Sequence, residues 1–134
     1  MKKKVLLFDT NLAAKPIYDY LIKSHFELYV IGNNPEDVLA KASANYIKLD
    51  YRMIDNVIDI IKKKLIDYIV PGCNDVSYKV CSKINEKLNF YNIDSFFVNN
   101  TINNKNEFRI FSRKLKLNAP QLIISELEDK SYPA

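Results

Sequence analysis

Few side chains in this 134-residue chain have the types and spacing that side-chain catalysis requires. There is one histidine, His25, which argues against a Ser-His-Asp arrangement and against a histidine-built zinc site. His25 follows a helical stretch, a place where an imidazole caps carbonyl groups rather than moving protons. The two cysteines, Cys73 and Cys81, have no metal-ligand spacing and no CxxC, and no base can be read beside Cys73 to make it a nucleophile. What the chain does carry is binding equipment. Short apolar runs each end in Asn, Asp or Thr: Asp9-Thr10-Asn11, Gly32-Asn33-Asn34, Asp50-Tyr51, Gly72-Cys73-Asn74-Asp75 and Asn99-Asn100-Thr101. Such groups donate and accept hydrogen bonds to a small molecule.

Two runs are the most distinctive. In Pro71-Gly72-Cys73-Asn74-Asp75, Gly72 is one of only two glycines, so it is expected to supply a backbone shape that other residues resist. Asn74 and Asp75 then stand at a helix entrance, and a plain strand-to-helix turn capped by Asp75 explains the same residues. In Asn103-Asn104-Lys105-Asn106-Glu107-Phe108-Arg109 a lysine heads a helix, where free N–H groups and an ammonium both suit a phosphate. That is also a common surface arrangement.

The elements that must position these residues follow from periodicity. Val5 to Phe8 is a buried apolar strand, residues 28–31 a second and residues 46–49 a third. Tyr68-Ile69-Val70 reads as a fourth strand and Phe96-Phe97-Val98 as a fifth, with a further strand at residues 122–124 and a polar end at 126–134. Between them lie helical patterns. Pro16 opens one that buries Ile17 and Leu21, and a short one covers residues 36–42. Ile54, Val57, Ile58, Ile61 and Leu65 form the clearest stripe, and Val76, Val80, Ile84 and Leu88 repeat every four residues. A last helix, residues 105–115, is expected to turn Phe108, Phe111 and Leu115 inward. Strand alternating with helix means an α/β fold: a three-layer, Rossmann-like, mainly parallel sheet of about five strands with helices on both faces. Ligands of such sheets bind beyond the carboxyl ends of the strands, where the strand order reverses.

Composition narrows the class. The chain is 48% hydrophobic and 27% charged, which suits one packed domain, and no apolar run reaches the roughly 18–20 residues of a membrane span. Residues 1–8 are too short and too interrupted for a secretory signal, so a cytoplasmic location is expected. The net charge of +4 is mild, and its lysines are dispersed, with one cluster at the chain start and one, Lys62-Lys63-Lys64, closing a helix. That pattern does not indicate nucleic-acid binding. The first strand turn holds no glycine, so neither a GxGxxG dinucleotide loop nor a P-loop is present, and Asp9 stands without the acidic neighbour of a receiver domain.

Taken in order, Val5-Leu6-Leu7-Phe8, Tyr29-Val30-Ile31-Gly32-Asn33-Asn34-Pro35, residues 67–75, residues 104–109 and Leu117-Asn118-Ala119-Pro120 resemble the N-terminal, pre-ATP-grasp domain of ATP-grasp ligases. The likeness is nearest to proteins related to the carbamoyl phosphate synthetase large subunit, and covers nearly the whole chain. It implies that Lys105 contacts the nucleotide, and that Asn11, Asn33, Asn34, Gly72, Asn74 and Asp75 line one wall of a substrate pocket. It implies a domain at 1–100, then a helix and strand at 101–134 that lead into an ATP-grasp domain absent from this chain. The family's next ATP-binding lysine would fall just after Ser131-Tyr132-Pro133-Ala134, so the chain reads as an inactive piece of a larger ligase. ATP and Mg2+ are then cofactors of the parent, and neither is expected to bind the piece tightly. The expected partners are a small-molecule carboxylate and ATP, without nucleic acid or membrane; a homodimer stays open. The alternative is a stand-alone Rossmann-like module that binds a small molecule or nucleotide sugar, and a protein-interaction domain is a third reading.

Overall fold

The computed structural model describes residues 1–120; the strand expected at 122–124 and the polar end at 126–134 lie outside them. The elements run β1 (Lys4–Phe8), a 3-10 turn (Leu12–Ala14), α1 (Lys15–Lys23), β2 (Glu27–Gly32), α2 (Val38–Ala42), β3 (Tyr46–Lys48) and α3 (Ile54–Lys64). They continue with β4 (Tyr68–Pro71), α4 (Asp75–Leu88), α5 (Phe96–Asn103) and α6 (Lys105–Lys114). Met1–Asn99 forms one compact unit, and a second begins at Asn100.

All four strands are parallel, in the order β3-β2-β1-β4. β1 is central, and its side chains alternate between two cores. Leu6 and Phe8 pack with Val57, Ile58 and Ile61 of α3 and with Val80, Cys81 and Ile84 of α4. Val5 and Leu7 pack on the opposite face with Leu21 of α1 and Leu39 of α2. A strand buried on both faces has no polar alternation to show, which is why β1 appears as an unbroken apolar run. The result is a three-layer, Rossmann-like α/β fold. Because the chain moves outward from β1 through β2 to β3 and then returns to the other side of β1 as β4, the strand order reverses between β1 and β4.

Several expectations are corrected. Phe96, Phe97 and Val98 form the first turn of α5, not a fifth strand. Ser95 starts that helix, its hydroxyl accepting from Val98 N and its carbonyl from Asn99 N. The outer edge of β4 is instead blunted by Pro71, which has no N–H, and by Asn92, whose amide donates to the Ile69 carbonyl at 2.7 Å. Asn74, not Asp75, caps α4, since its side chain accepts from Ser77 N. At the end of α1, the hydroxyl of Ser24, not the imidazole of His25, takes the Tyr20 carbonyl. Phe108 and Phe111 on α6 and Leu115 at its end are exposed rather than inward.

Candidate functional site

A cleft of about 390 Å³ opens at the carboxyl ends of all four strands. Asp9, Thr10 and Asn11 come from the end of β1, Gly32, Asn33 and Asp37 from that of β2, and Asp50, Tyr51 and Arg52 from that of β3. Asn74 and Val76 supply the β4 side. The reversal of strand order is what leaves this space unfilled, because the connections after β1 and β4 depart in opposite directions.

Asp9 ties the two sides of the crevice together. Its Oδ1 accepts from Thr10 N at 2.7 Å and Asn11 N at 3.1 Å, and its Oδ2 accepts from Asn11 Nδ2 and Asn74 Nδ2, each at 2.6 Å. These four donors fill the acceptor positions of a carboxylate. Asp9 is buried and held at a φ of 143°, a backbone region that side chains rarely adopt and that costs about 1–3 kcal/mol. Strain of that size persists only where the surroundings enforce it.

The chain's two glycines do part of the enforcing. They follow the last paired residues, Phe8 with Ile31 and Phe8 with Pro71, and so flank Asp9 on both sides. A Cβ on Gly72 would collide with the Asp9 Cβ and the Phe8 carbonyl oxygen, and a Cβ on Gly32 with the side chain of Thr10. Neither glycine has a positive φ, so Gly72 gives room and not an unusual backbone shape.

The rest of the cleft is a hydrogen-bonded frame. The Thr10 hydroxyl donates to Asp37 Oδ2 and Asn34 Nδ2 donates to Asp37 Oδ1, both at 2.7 Å. Arg52 grips Asp50 with Nε and Nη2 of its guanidinium, which holds the Asp50 carboxyl at about 2, well below the usual range. Tyr51 stands with its ring edge-on to Phe8, 5.9 Å between centroids, and burial followed by the Asp9 charge pushes its hydroxyl upward.

The residues expected from the sequence separate on this frame. Asn11, Asn33 and Asn74 line the cleft. Asn11 and Asn74 have both ends of their amides engaged, in Asp9 and in the caps of the helical turns they open. Asn33 makes no side-chain hydrogen bond among the described residues and is exposed to the cleft. Asn34 braces Asp37 and Glu36 N, Gly72 sits behind Asp9, and Asp75 is exposed in the first turn of α4. Lys105 belongs to the second unit, exposed at the start of α6. There the Asn104 side chain already accepts from Asn106 N and Glu107 N, so the ammonium offers more to an anion than the helix end does. Asp9, Thr10, Asp50 and Tyr51 stand among the polar strand ends in the sequence but without an expected role, and Asp37, Arg52 and Val76 lie outside every polar motif read there. The signal for Asp9 was present: two glycines, each closing a strand and otherwise scarce, mark a residue between them that needs space.

Fold and cleft together define an α/β domain with a polar crevice at its switch point. No protein-family model matches the chain. In sequence it is similar to the Holliday junction branch migration complex subunit RuvA of two strains of Ureaplasma parvum serovar 3. Each is 28% identical over 131 residues; the match covers 89% of this chain and 66% of the relative's length. In structure it is similar to the L-amino acid ligase from Bacillus licheniformis, with a TM-score of 0.77 and 20% identity over 98% of this chain and 35% of the other. It is also similar to phosphoribosylglycinamide synthetase from Anaerococcus prevotii, with a TM-score of 0.71 and 15% identity over 87% of this chain and 30% of the other. At these identities the shared property is the fold.

Proposed function

We propose that this chain is the N-terminal, substrate-side domain of an ATP-grasp ligase, in which ATP phosphorylates a carboxylate and an amine or other nucleophile attacks the acyl phosphate. The observation that carries this reading is the polar cleft at the β1–β4 switch point, in a fold shared with two ligases. In it the cleft forms one wall of the substrate pocket. Asn33 supplies an open amide there, while Asn11, Asn34, Gly72 and Asn74 keep the wall in shape through Asp9 and Asp37. Lys105 meets the nucleotide. ATP and Mg2+ would act from a further domain, and the second unit leads toward it. By the resemblance to ATP-grasp ligases, the magnesium ligands would belong to that domain.

The stand-alone module is less well supported, because the two structural neighbours are ligases in which this fold fills about a third of the chain. A role like that of the Holliday junction subunit rests on 28% identity. The cleft does not suit it, since three carboxylates facing one paired guanidinium repel a phosphodiester backbone. Among the described residues no helix is long and apolar enough to cross a membrane.

The test is Lys105→Ala in the ligase that carries this chain, with Lys62→Ala on the exposed end of α3 as control. Loss of a charge-assisted contact weakens ATP binding roughly 10- to 150-fold, and the control changes it little once circular dichroism shows both variants folded. Equal ATP affinity for Lys105→Ala and wild type would remove the nucleotide assignment.

A further inference from the structure

Three carboxylates line the cleft, and they are not equivalent. Asp9 has its acceptor positions filled by four N–H donors. Asp50 is neutralised by the two-pronged grip of Arg52. Asp37 accepts one hydroxyl and one amide, both from neutral groups, which leaves about half of a carboxylate's acceptor positions open. It is partly buried, and among the described residues no cation pairs with it. An uncompensated carboxylate on the wall of a cavity favours a positively charged occupant, more so as the ligand displaces water.

The other lining groups point the same way. Arg52 is engaged with Asp50, so an anion entering by itself finds no uncommitted positive charge on the cleft wall. Asn33 adds a free amide, and Tyr51 and Val76 add apolar surface. The volume, about 390 Å³, lies at the small end of ligand pockets and suits an amino-acid-sized molecule better than a nucleotide. Among the described residues no three His, Cys, Asp or Glu side chains are grouped as metal ligands, and the open acceptor positions of Asp37 suit the N–H donors of a molecular cation.

We propose that the cleft binds a small primary amine in its ammonium form, with Asp37 as the receptor. The proposal rests on the reading of the cleft as a ligase's substrate wall. It means that this domain grips its substrate by an amino end and leaves the reacting group to the rest of the enzyme.

The experiment titrates this chain at millimolar concentrations with ethylamine, L-alanine, propionate and propanol, following backbone amide resonances. Ethylamine and L-alanine are expected to shift the amides of Thr10, Asn33 and Asp37, while propionate and propanol leave them in place. Asp37→Asn, which keeps the size and an acceptor oxygen, should weaken ethylamine binding roughly tenfold or more. If that variant fails to fold, the four-probe comparison on the wild-type chain decides alone. Shifts with propionate and not with ethylamine overturn the amine proposal and leave the cleft reading standing, as does equal ethylamine affinity for a folded Asp37→Asn. Silence from all four probes overturns both.

Discussion

β1 and β4 are bridged by an aspartate at each end, and the two bridges are built differently. At the amino end, Asp67 accepts from Lys4 N at 2.8 Å and Lys3 Nζ at 3.1 Å, in an exposed ion pair on a relaxed backbone. At the carboxyl end, Asp9 is buried, takes four neutral donors, sits at a φ of 143° and needs a glycine on either side. Both bridges link the same two parallel strands, one at each end of their shared register. The strained, glycine-flanked one is found only where the cleft opens, and strain of this kind concentrates at binding sites. The amino end closes the sheet; the carboxyl end shapes a site.

The largest effect that can break this contrast is at Gly72. Gly72→Ala drives a methyl group into the Phe8 carbonyl and the Asp9 Cβ, and should destabilise by roughly 1–3 kcal/mol or more in urea denaturation. Gly32→Ala should cost less, because it meets the Thr10 side chain and not backbone. At Asp9 itself, glycine and alanine both lose the carboxylate that accepts from four N–H donors, but glycine tolerates the φ. Asp9→Gly should therefore be more stable than Asp9→Ala by about 1–3 kcal/mol. Equal stability would mean that the backbone there is not strained.

The smallest effect belongs to the amino end. The Lys4 backbone N–H, and then the Lys3 ammonium, hold the Asp67 carboxyl below the usual carboxylate range. A depressed carboxylate stabilises fully above its unfolded value and loses that contribution as pH falls through its folded value. Asp67→Asn should lower the Tm slightly at neutral pH, and the gap should close in acid. A gap that stays constant into acid would show that Asp67 is not held by these charges.

The four strands and the helices that bury them were legible because an apolar run and a stripe with helical spacing each leave a pattern in sequence. The error at Phe96, Phe97 and Val98 has a plain cause: three apolar residues fit a buried strand or a helix turn equally, and Ser95 decides for the helix. The polar strand ends pointed correctly to the edge that carries the cleft. They did not reveal which polar residues face a ligand, because that depends on which donors are consumed inside the frame. Asn11, Asn33 and Asn74 look alike in sequence, yet only Asn33 keeps its amide open. Asp37 reaches Thr10 across 27 positions of sequence, a pairing that no local pattern encodes.

The most direct measurement of the cleft's proposed role is steady-state kinetics of the proposed ligase carrying Val76→Trp. Val76 is exposed in the first turn of α4 and lines the cleft, so an indole can fill that space without entering the core. The KM for the substrate held there should rise roughly tenfold or more while the KM for ATP stays unchanged. An unaltered KM for every substrate, in a variant that is shown to be folded, would contradict the assignment of the cleft as the substrate site.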